Sequence, residues 1–156
     1  MSVLYMRIGS PGSGKSTWAK KMQEEQGAYW VSRDQIRFQY LKDDDDYFAY
    51  EDKVFDEFVS EIQNAIYDKF SIIIADATHL NVKARNKVLR RLSLRGTRVE
   101  YVYFNVDLKT ALERNAQRSG RARVPDSVIM NMQKSIQLPV DALILDEKGE
   151  LHDLVH

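Results

Sequence analysis

Four residues near the N-terminus have the types and spacing to bind a phosphate group. They are Gly9, Gly14, Lys15 and Ser16, and they fit the pattern G-x-x-x-x-G-K-[ST]. The glycines allow a tight turn whose backbone N–H groups point at an anion. Lys15 adds a compact positive charge, and the Ser16 hydroxyl can ligate Mg²⁺. The pattern predicts a bound nucleoside triphosphate and Mg²⁺.

A flexible loop rich in glycine and serine could match this pattern by accident. The flanking segments argue against that alternative, because the motif requires a strand before it and a helix after it. Val3–Ile8 reads as a strand and Trp18–Gln26 as a helix. The positive dipole end of that helix would face the same anion.

The chain has the size and composition of one globular domain spanning residues 1–156. Its apolar content is 44% and its charged content 29%. The apolar runs are too short to cross a bilayer, and no signal-peptide segment opens the chain, so we expect a cytoplasmic protein without a membrane partner. It has no cysteine, which excludes disulfides and thiolate metal sites. Lysine plus arginine equal aspartate plus glutamate at 23 each, unlike proteins that coat nucleic acid non-specifically.

Strands and helices alternate along the whole sequence. The predicted strands are Val3–Ile8, Ala28–Val31, Ser71–Ala75, Arg98–Asn105 and Ala142–Leu145. The predicted helices are Trp18–Gln26, Gln35–Leu41, Tyr47–Phe70, Asn81 or Val82 to Arg95, Leu108–Arg118 and Pro125–Gln137. This order predicts an α/β fold: a doubly wound, mostly parallel five-stranded sheet flanked by helices.

Polar residues follow the predicted strands at the edge where ligands of such sheets gather. Asp34 follows the second strand and could accept a proton from an attacking hydroxyl. Asp76 follows the third strand and could hold Mg²⁺ through water. An arginine-rich segment at about 118–124 is typical of a lid that closes over ATP. Each has an alternative: Asp34 as a helix N-cap, Asp76 as a residue that orients its loop, and the arginines as a solvated turn.

The chain resembles the kinase domain of the phage-type polynucleotide 5′-kinases from its first strand to about Ser135. The matching residues are Gly9 to Trp18, Arg33, Asp34, Arg37, Asp76, Thr78, Leu80, Asn81, Arg114, Asn115, Arg118, Val124 and Pro125. The resemblance implies a P-loop kinase fold with an arginine-rich lid. It also implies ATP and Mg²⁺ as cofactors and a 5′-hydroxyl end of DNA or RNA as substrate.

The resemblance also implies roles for individual residues. Asp34 would be the general base, and Lys15 and Arg118 would assist catalysis on the ATP phosphates. ATP would be bound by Gly12, Ser13, Gly14, Lys15, Ser16, Thr17, Arg114 and Arg118, and Mg²⁺ by Ser16 and Asp76. On the substrate side, Arg37 would contact the 3′-phosphate of the terminal nucleotide and Val124 would pack on its base, with Asp76 and Thr78 nearby.

Two positions depart from the family pattern. His79 stands where the family usually has asparagine, and Ala77 stands where its aspartate can lie, so Asp76 is one residue early. A histidine beside a site is either a packing residue or a catalyst, and with Asp34 available the chemistry does not require it. The family's phosphatase domain is not found in this chain, so we expect a separate phosphatase or ligase to act with it. Self-association into a homo-oligomer is open.

Two charged segments have two interpretations each. Asp43–Asp46 reads as a solvated loop rather than a metal site, because it lacks the alternating ligand spacing of a calcium loop. The basic segment Lys83–Arg95 could line the path of a nucleic acid strand or solvate an exposed helix face.

Three functions are compatible with the sequence. The first is an ATP-dependent polynucleotide 5′-hydroxyl kinase. The second is a kinase for a small hydroxyl compound such as a nucleoside, a sugar nucleotide or an antibiotic. The third is a nucleotide-binding switch, which would need no general base at Asp34.

Overall fold

The computed structural model describes residues 2–9, 15–79, 81–118, 123–145 and 151–152. The strands within these ranges are β1 (Val3–Ile8), β2 (Tyr29–Ser32), β3 (Ile72–Asp76), β4 (Arg98–Phe104), β5 (Leu143–Leu145) and β6 (Leu151–His152). The helices are α1 (Lys15–Gln26), α2 (Arg33–Tyr40), α3 (Glu51–Tyr67), α4 (Val82–Leu89), α5 (Leu108–Ala116) and α6 (Asp126–Lys134). No helix in these ranges is long and apolar enough to traverse a bilayer.

The strands form one sheet in the order β2-β3-β1-β4-β5-β6. The first five strands pair in parallel, which confirms the predicted α/β sheet. The two-residue strand β6 pairs antiparallel with β5 and was not predicted. After β1, the chain forms β2 and β3 on one flank of β1. It then passes across β1 and forms β4 and β5 on the other flank. β1 therefore lies at the switch point, where ligands of such sheets bind.

The main core lies between one face of the sheet and the helices α2, α3 and α4. Alternate residues of β1, Leu4 and Met6, point into it and are fully buried. From α3 the apolar stripe contributes Val54, Phe55, Phe58, Val59 and Ile62, which recur at three- and four-residue steps. On the opposite face, Trp18 of α1 packs edge-on against Tyr5 and Phe104. Both faces of the sheet are thus covered.

Four helices are shorter than the sequence pattern predicts. α5 ends at Ala116 rather than Arg118, and α6 spans Asp126–Lys134 rather than Pro125–Gln137. The larger differences are in α3 and α4. α3 begins at Glu51 rather than Tyr47, because Asp46 to Tyr50 form turns in which the Ala49 N–H bonds to the Asp46 carbonyl at 2.9 Å. α4 ends at Leu89 rather than Arg95. Beyond it, the Gln63 side chain bonds both backbone groups of Ser93, at 2.8 and 3.0 Å. This contact with α3 replaces the helical hydrogen bonds.

Candidate active site

A cavity of about 210 Å³ opens at the carboxyl ends of β2 and β3. Its lining residues come from four parts of the chain: Arg33, Asp34 and Arg37 of α2; Tyr47, Phe48 and Glu51 at the start of α3; Asp76, Ala77 and Thr78 at the end of β3; and Met132 of α6. Four of the predicted site residues, Asp34, Arg37, Asp76 and Thr78, therefore meet around one cavity.

The phosphate-loop motif begins directly after β1, which ends at Ile8, and extends into α1, which begins at Lys15. Gly9 has a φ of 155°, and its N–H donates to the Thr78 carbonyl at 3.0 Å. The predicted ATP-binding residues Gly12, Ser13 and Gly14 lie outside the described residues. α1 begins at Lys15 and Ser16, whose side chains also lie outside what is described, and Thr17 follows as an exposed residue.

Asp34 lies in the first turn of α2 and does not cap that helix. The cap is Ser32, whose hydroxyl accepts a hydrogen bond from the Gln35 N–H at 3.2 Å. The alternative interpretation of Asp34 as an N-cap is therefore wrong. Its carboxylate instead points toward the side chains of Arg37 and Tyr47, which both donate to its Oδ1.

Arg37, Tyr47 and Glu51 form one hydrogen-bonded cluster around Asp34. The Arg37 guanidinium donates to the Tyr47 hydroxyl at 2.9 Å and to both carboxylate oxygens of Glu51 at 2.8 and 3.0 Å. It also lies over the Tyr47 ring, 4.4 Å from its centroid. Such a cluster holds the Asp34 carboxylate in one orientation.

The electrostatics of this cluster keep its members in defined protonation states. Burial lowers the pKa of Arg37, but Tyr47, Asp34 and Glu51 outweigh burial and raise it above its usual value. Burial and the Asp34 carboxylate raise the pKa of Tyr47 well above its usual value. Arg37 therefore stays cationic, and Tyr47 stays a neutral hydrogen-bond donor to Asp34.

Asp76 ends β3 and is 2% exposed. The Trp30 indole N–H donates to its Oδ2 at 2.8 Å, and Arg7 Nε lies 3.9 Å from its Oδ1. A single carboxylate beside a phosphate loop suits Mg²⁺, which binds one or two carboxylates and completes its shell with waters and phosphates. In keeping with this, the described residues hold no cluster of three or more carboxylate or imidazole ligands. The donor set at Asp76 thus fits Mg²⁺.

The base of the predicted lid is described, but its centre, residues 119–122, is not. Arg114 in α5 and Arg118 just beyond its end are half-buried. Burial lowers the pKa of Arg7, and the nearby charge of Arg118 lowers it further. Asn115 is fully buried and joins the two ends of the lid: its side chain donates to the Val124 carbonyl at 2.7 Å and accepts from the Val124 N–H at 3.1 Å.

Val124 is buried in this structure. Its side chain is 1% exposed and packs with Val106, Ala111 and Ile129 in a small core under α5 and α6. The apolar side chains that line the cavity are Phe48 and Met132. The contact of Val124 with a terminal base, which the family resemblance implies, stays a prediction.

His79 is a packing and hydrogen-bonding residue in this structure. It is 3% exposed, its Nδ1 lies 2.8 Å from the Arg7 carbonyl oxygen, and its ring lies 5.9 Å from that of Phe58. Because it does not line the cavity, the structure favours the structural interpretation of His79.

The basic segment after β3 makes contacts within the protein. Arg85 is 4% exposed and donates to the carbonyls of His79 and Gln137 at 2.8 and 2.7 Å. Arg91 pairs with Asp56 of α3 at 3.1 Å. α4 begins at the site and runs away from it, so Arg95 lies at the opposite end of the sheet. These contacts favour a structural role for this segment.

The acidic loop forms a turn of its own. The Asp45 carboxylate accepts from the Lys42 N–H at 2.9 Å, while Asp43, Asp44 and Asp46 are exposed. This geometry agrees with the interpretation of a solvated loop.

The sequence analysis missed several residues of the site: Tyr47, Phe48, Glu51, Met132 and Arg7. Tyr47 and Glu51 lie in a segment that the pattern assigned to a single long helix, and no local signal separates them from surface residues. Arg7 has a signal that could have been used: it is the only charge in the apolar strand Val3–Ile8. A charge at such a position needs internal partners, and these lie at the site.

Comparisons with known proteins agree with this architecture. A family model described as an AAA domain matches residues 4–139. The L-seryl-tRNA(Sec) kinase of Methanococcus maripaludis is 24% identical over 142 residues, which are 88% of this chain and 53% of that protein. The chain thus spans about half the length of the curated relative it matches.

Two solved structures have a similar fold. A chain in the structure of the Pnkp1/Rnl/Hen1 RNA repair complex has a TM-score of 0.72 and 21% identity, covering 86% of this chain and 44% of that one. A gluconokinase from Sinorhizobium meliloti 1021 has a TM-score of 0.61 and 17% identity, covering 95% of this chain and 84% of that one. At such identities the likeness is one of fold.

The family match is compatible with the predicted class, a phosphotransferase with a hydroxyl acceptor, and the two named enzymes to which the chain is similar are themselves kinases. The chain belongs to the AAA domain family.

Proposed function

We propose that this domain transfers the γ-phosphate of ATP to the 5′-hydroxyl end of DNA or RNA. The observation that supports this most directly is the pairing of Asp34 with Arg37 on one wall of the cavity. A polynucleotide end presents a 5′-hydroxyl and, on the 3′ side of the same nucleotide, a phosphate. A carboxylate and a guanidinium one helical turn apart supply a base for the first and a bidentate donor for the second.

Each residue of the site has a role in this proposal. ATP bound with Mg²⁺ at residues 9–17 would supply the phosphoryl group. Asp34 accepts the proton of the acceptor hydroxyl while Tyr47 and Arg37 orient its carboxylate. Asp76 would hold Mg²⁺, and Arg114 and Arg118 would neutralise charge on the phosphates. Arg37 contacts the phosphate of the acceptor strand, and the exposed ring of Phe48 offers a surface for its base.

The acceptor phosphate must compete with two carboxylates for Arg37. Asp34 and Glu51 both bind this guanidinium, and Glu51 also pairs with Arg33. We therefore propose that an incoming phosphate takes over one donor of Arg37 and leaves Asp34 Oδ1 to the acceptor hydroxyl.

A second candidate is a kinase for a small hydroxyl compound. It is supported by the structural similarity to the gluconokinase, which extends over 84% of the gluconokinase chain. The charges at the cavity support it too: three carboxylates and two arginines line it, so its field does not strongly attract a polyanion.

The similarity to a chain of an RNA repair complex also bears on partners. We propose that other end-processing enzymes, a phosphatase or a ligase, act on the same nucleic acid ends.

One experiment separates the two functions. The protein is incubated with Mg²⁺, labelled ATP and a panel of acceptors: 5′-hydroxyl oligonucleotides of DNA and RNA, a nucleoside 3′-monophosphate, free nucleosides and gluconate. We expect label on the oligonucleotides and on the nucleoside 3′-monophosphate. Label on gluconate or free nucleosides alone would contradict the proposal.

The same assay tests the base. Asp34→Asn should lower kcat by roughly a hundredfold or more, the usual contribution of a general base, while ATP still binds. Asp43→Asn, at an exposed position of the acidic loop, is the matched control and should leave the rate unchanged. Normal transfer by Asp34→Asn would remove Asp34 from the mechanism.

A further inference from the structure

Arg7 is a buried charge at the end of the central strand. It is 1% exposed, whereas its neighbours on β1 that point to the main core are apolar. Burial lowers the pKa of Arg7 to about 10 despite the nearby Asp76. An arginine costs folding free energy at a position where an apolar side chain would pack without penalty. Its contacts show what it does there.

The Arg7 guanidinium bonds the phosphate loop and the loop after β3 at the same time. Its Nη1 donates to the carbonyl of Gly9 at 2.7 Å and to the carbonyl of Ala77 at 2.9 Å. Its Nε lies 3.9 Å from Asp76 Oδ1. Gly9 is the first residue of the phosphate loop, and Asp76 is the carboxylate that fits Mg²⁺.

Two further hydrogen bonds join the same segments. The Gly9 N–H donates to the Thr78 carbonyl at 3.0 Å, and His79 Nδ1 lies 2.8 Å from the Arg7 carbonyl oxygen. The parallel pairing of β1 with β3 reaches Met6 and Ala75, so Arg7 and Asp76 follow directly on adjacent strands. The separation between Gly9 and Asp76 therefore depends on this strand pairing, on the Gly9–Thr78 bond and on the contacts of the Arg7 guanidinium.

We propose that Arg7 is a positioning residue that holds the first residue of the phosphate loop and the Asp76 carboxylate at a fixed separation for Mg²⁺-bound ATP. The inference rests on the proposed binding of ATP and Mg²⁺ and is independent of the acceptor. Lysine should replace arginine only in part, because its ammonium is one compact group, whereas the guanidinium presents Nη1 to both carbonyls and Nε towards the carboxylate.

The test measures ATP affinity by calorimetry, with Mg²⁺ and with EDTA. The variants are Arg7→Met, Arg7→Lys and Asp76→Asn, and the control is Leu4→Ala, a fully buried residue of the same strand whose loss weakens the core. We expect Arg7→Met to weaken binding of Mg²⁺-bound ATP by roughly 10- to 100-fold, the effect of losing charged hydrogen bonds. We expect Mg²⁺ to raise the ATP affinity of the wild type. This increase in affinity should be reduced as much in Arg7→Met as in Asp76→Asn, and to a smaller extent in Arg7→Lys. Leu4→Ala should lower the melting temperature and keep this gain.

A second readout needs no ligand. The Trp30 indole N–H donates to Asp76, so its NMR resonance reports the position of that carboxylate. This resonance should shift in Arg7→Met and Arg7→Lys and stay in place in Leu4→Ala.

Two outcomes would overturn the proposal. One is that Mg²⁺ raises the ATP affinity of both Arg7 variants as much as that of the wild type. The other is that Leu4→Ala loses this increase in affinity to the same extent as the Arg7 variants. If oligonucleotides are not phosphorylated but these affinities change as expected, only the proposed acceptor fails; absence of ATP binding by the wild type would overturn both.

Discussion

At the scale of single residues, the site is defined by what surrounds Asp34. Its carboxylate receives hydrogen bonds from Arg37 on the same helix and from Tyr47, 13 positions along the chain. Glu51 then binds the Arg37 guanidinium from a third position. The orientation of the proposed base depends on all three neighbours. Arg37 therefore has two tasks, to orient Asp34 and to meet the acceptor phosphate.

Replacing Arg37 with alanine should affect both tasks. For acceptors with a 3′-phosphate, we expect KM to rise by an amount equivalent to about 1–3 kcal/mol, the free energy of a lost charged hydrogen bond. For acceptors without it, only kcat should fall, because Asp34 loses a hydrogen bond. Steady-state kinetics on the matched nucleoside and nucleoside 3′-monophosphate measure both. Arg91→Ala, which removes an exposed ion pair with Asp56, should change neither constant. An equal rise in KM for both acceptors would contradict the role of Arg37 at the phosphate.

At the scale of elements, helix N-termini bring the site together. α1 follows the phosphate loop, α2 begins at the Ser32 cap, and α4 begins at Asn81, whose side chain accepts from the Ala84 N–H at 2.8 Å. Each helix starts just after a parallel strand has ended, so the polar connections gather at the carboxyl ends of the strands. The cap at Asn81 also ends the loop that carries Asp76 and Thr78.

Loss of the Asn81 cap should destabilise this region. Asn81→Ala leaves the Ala84 N–H without its side-chain acceptor, which should reduce the free energy of unfolding by about 0.5–2 kcal/mol. Urea denaturation followed by circular dichroism measures the change. Asn81→Ser retains a capping oxygen and should stay close to the wild type. If the serine variant lost as much stability as the alanine variant, the cap would not be the cause.

At the scale of the whole molecule, the described residues form a main core and smaller clusters. Phe58 lies in the main core between the sheet and α3, whereas Ile129 lies in a separate cluster under α5 and α6. α5 and α6 flank the predicted lid, and Asn115 joins its two ends. Because this unit has its own small core, we expect it to unfold locally at a lower free energy than the sheet.

Two core variants should show this difference. Phe58→Ala should cost about 3–5 kcal/mol of global stability, and Ile129→Ala about 2–5 kcal/mol within its own unit. In native-state hydrogen exchange, Phe58→Ala should raise exchange in β1 and β3, whereas Ile129→Ala should raise it mainly in α5 and α6. Ile129→Val is a mild control. Uniform acceleration across the sheet in Ile129→Ala would mean that the two cores unfold as one.

The sequence by itself determined the parallel α/β sheet, the strand–loop–helix context of Gly9–Thr17 and the positions of Asp34 and Asp76 after their strands. These follow from local periodicity and from the rule that ligands gather at the carboxyl ends of parallel strands. Only the tertiary structure decided the partners of Asp34, the burial of Val124 and His79, and the contacts of Arg7. Tyr47, Glu51 and Arg7 reach the site through packing of α3 and β1 against segments distant in the chain, and a side chain's environment depends on such contacts. These long-range contacts cannot be read from the local sequence.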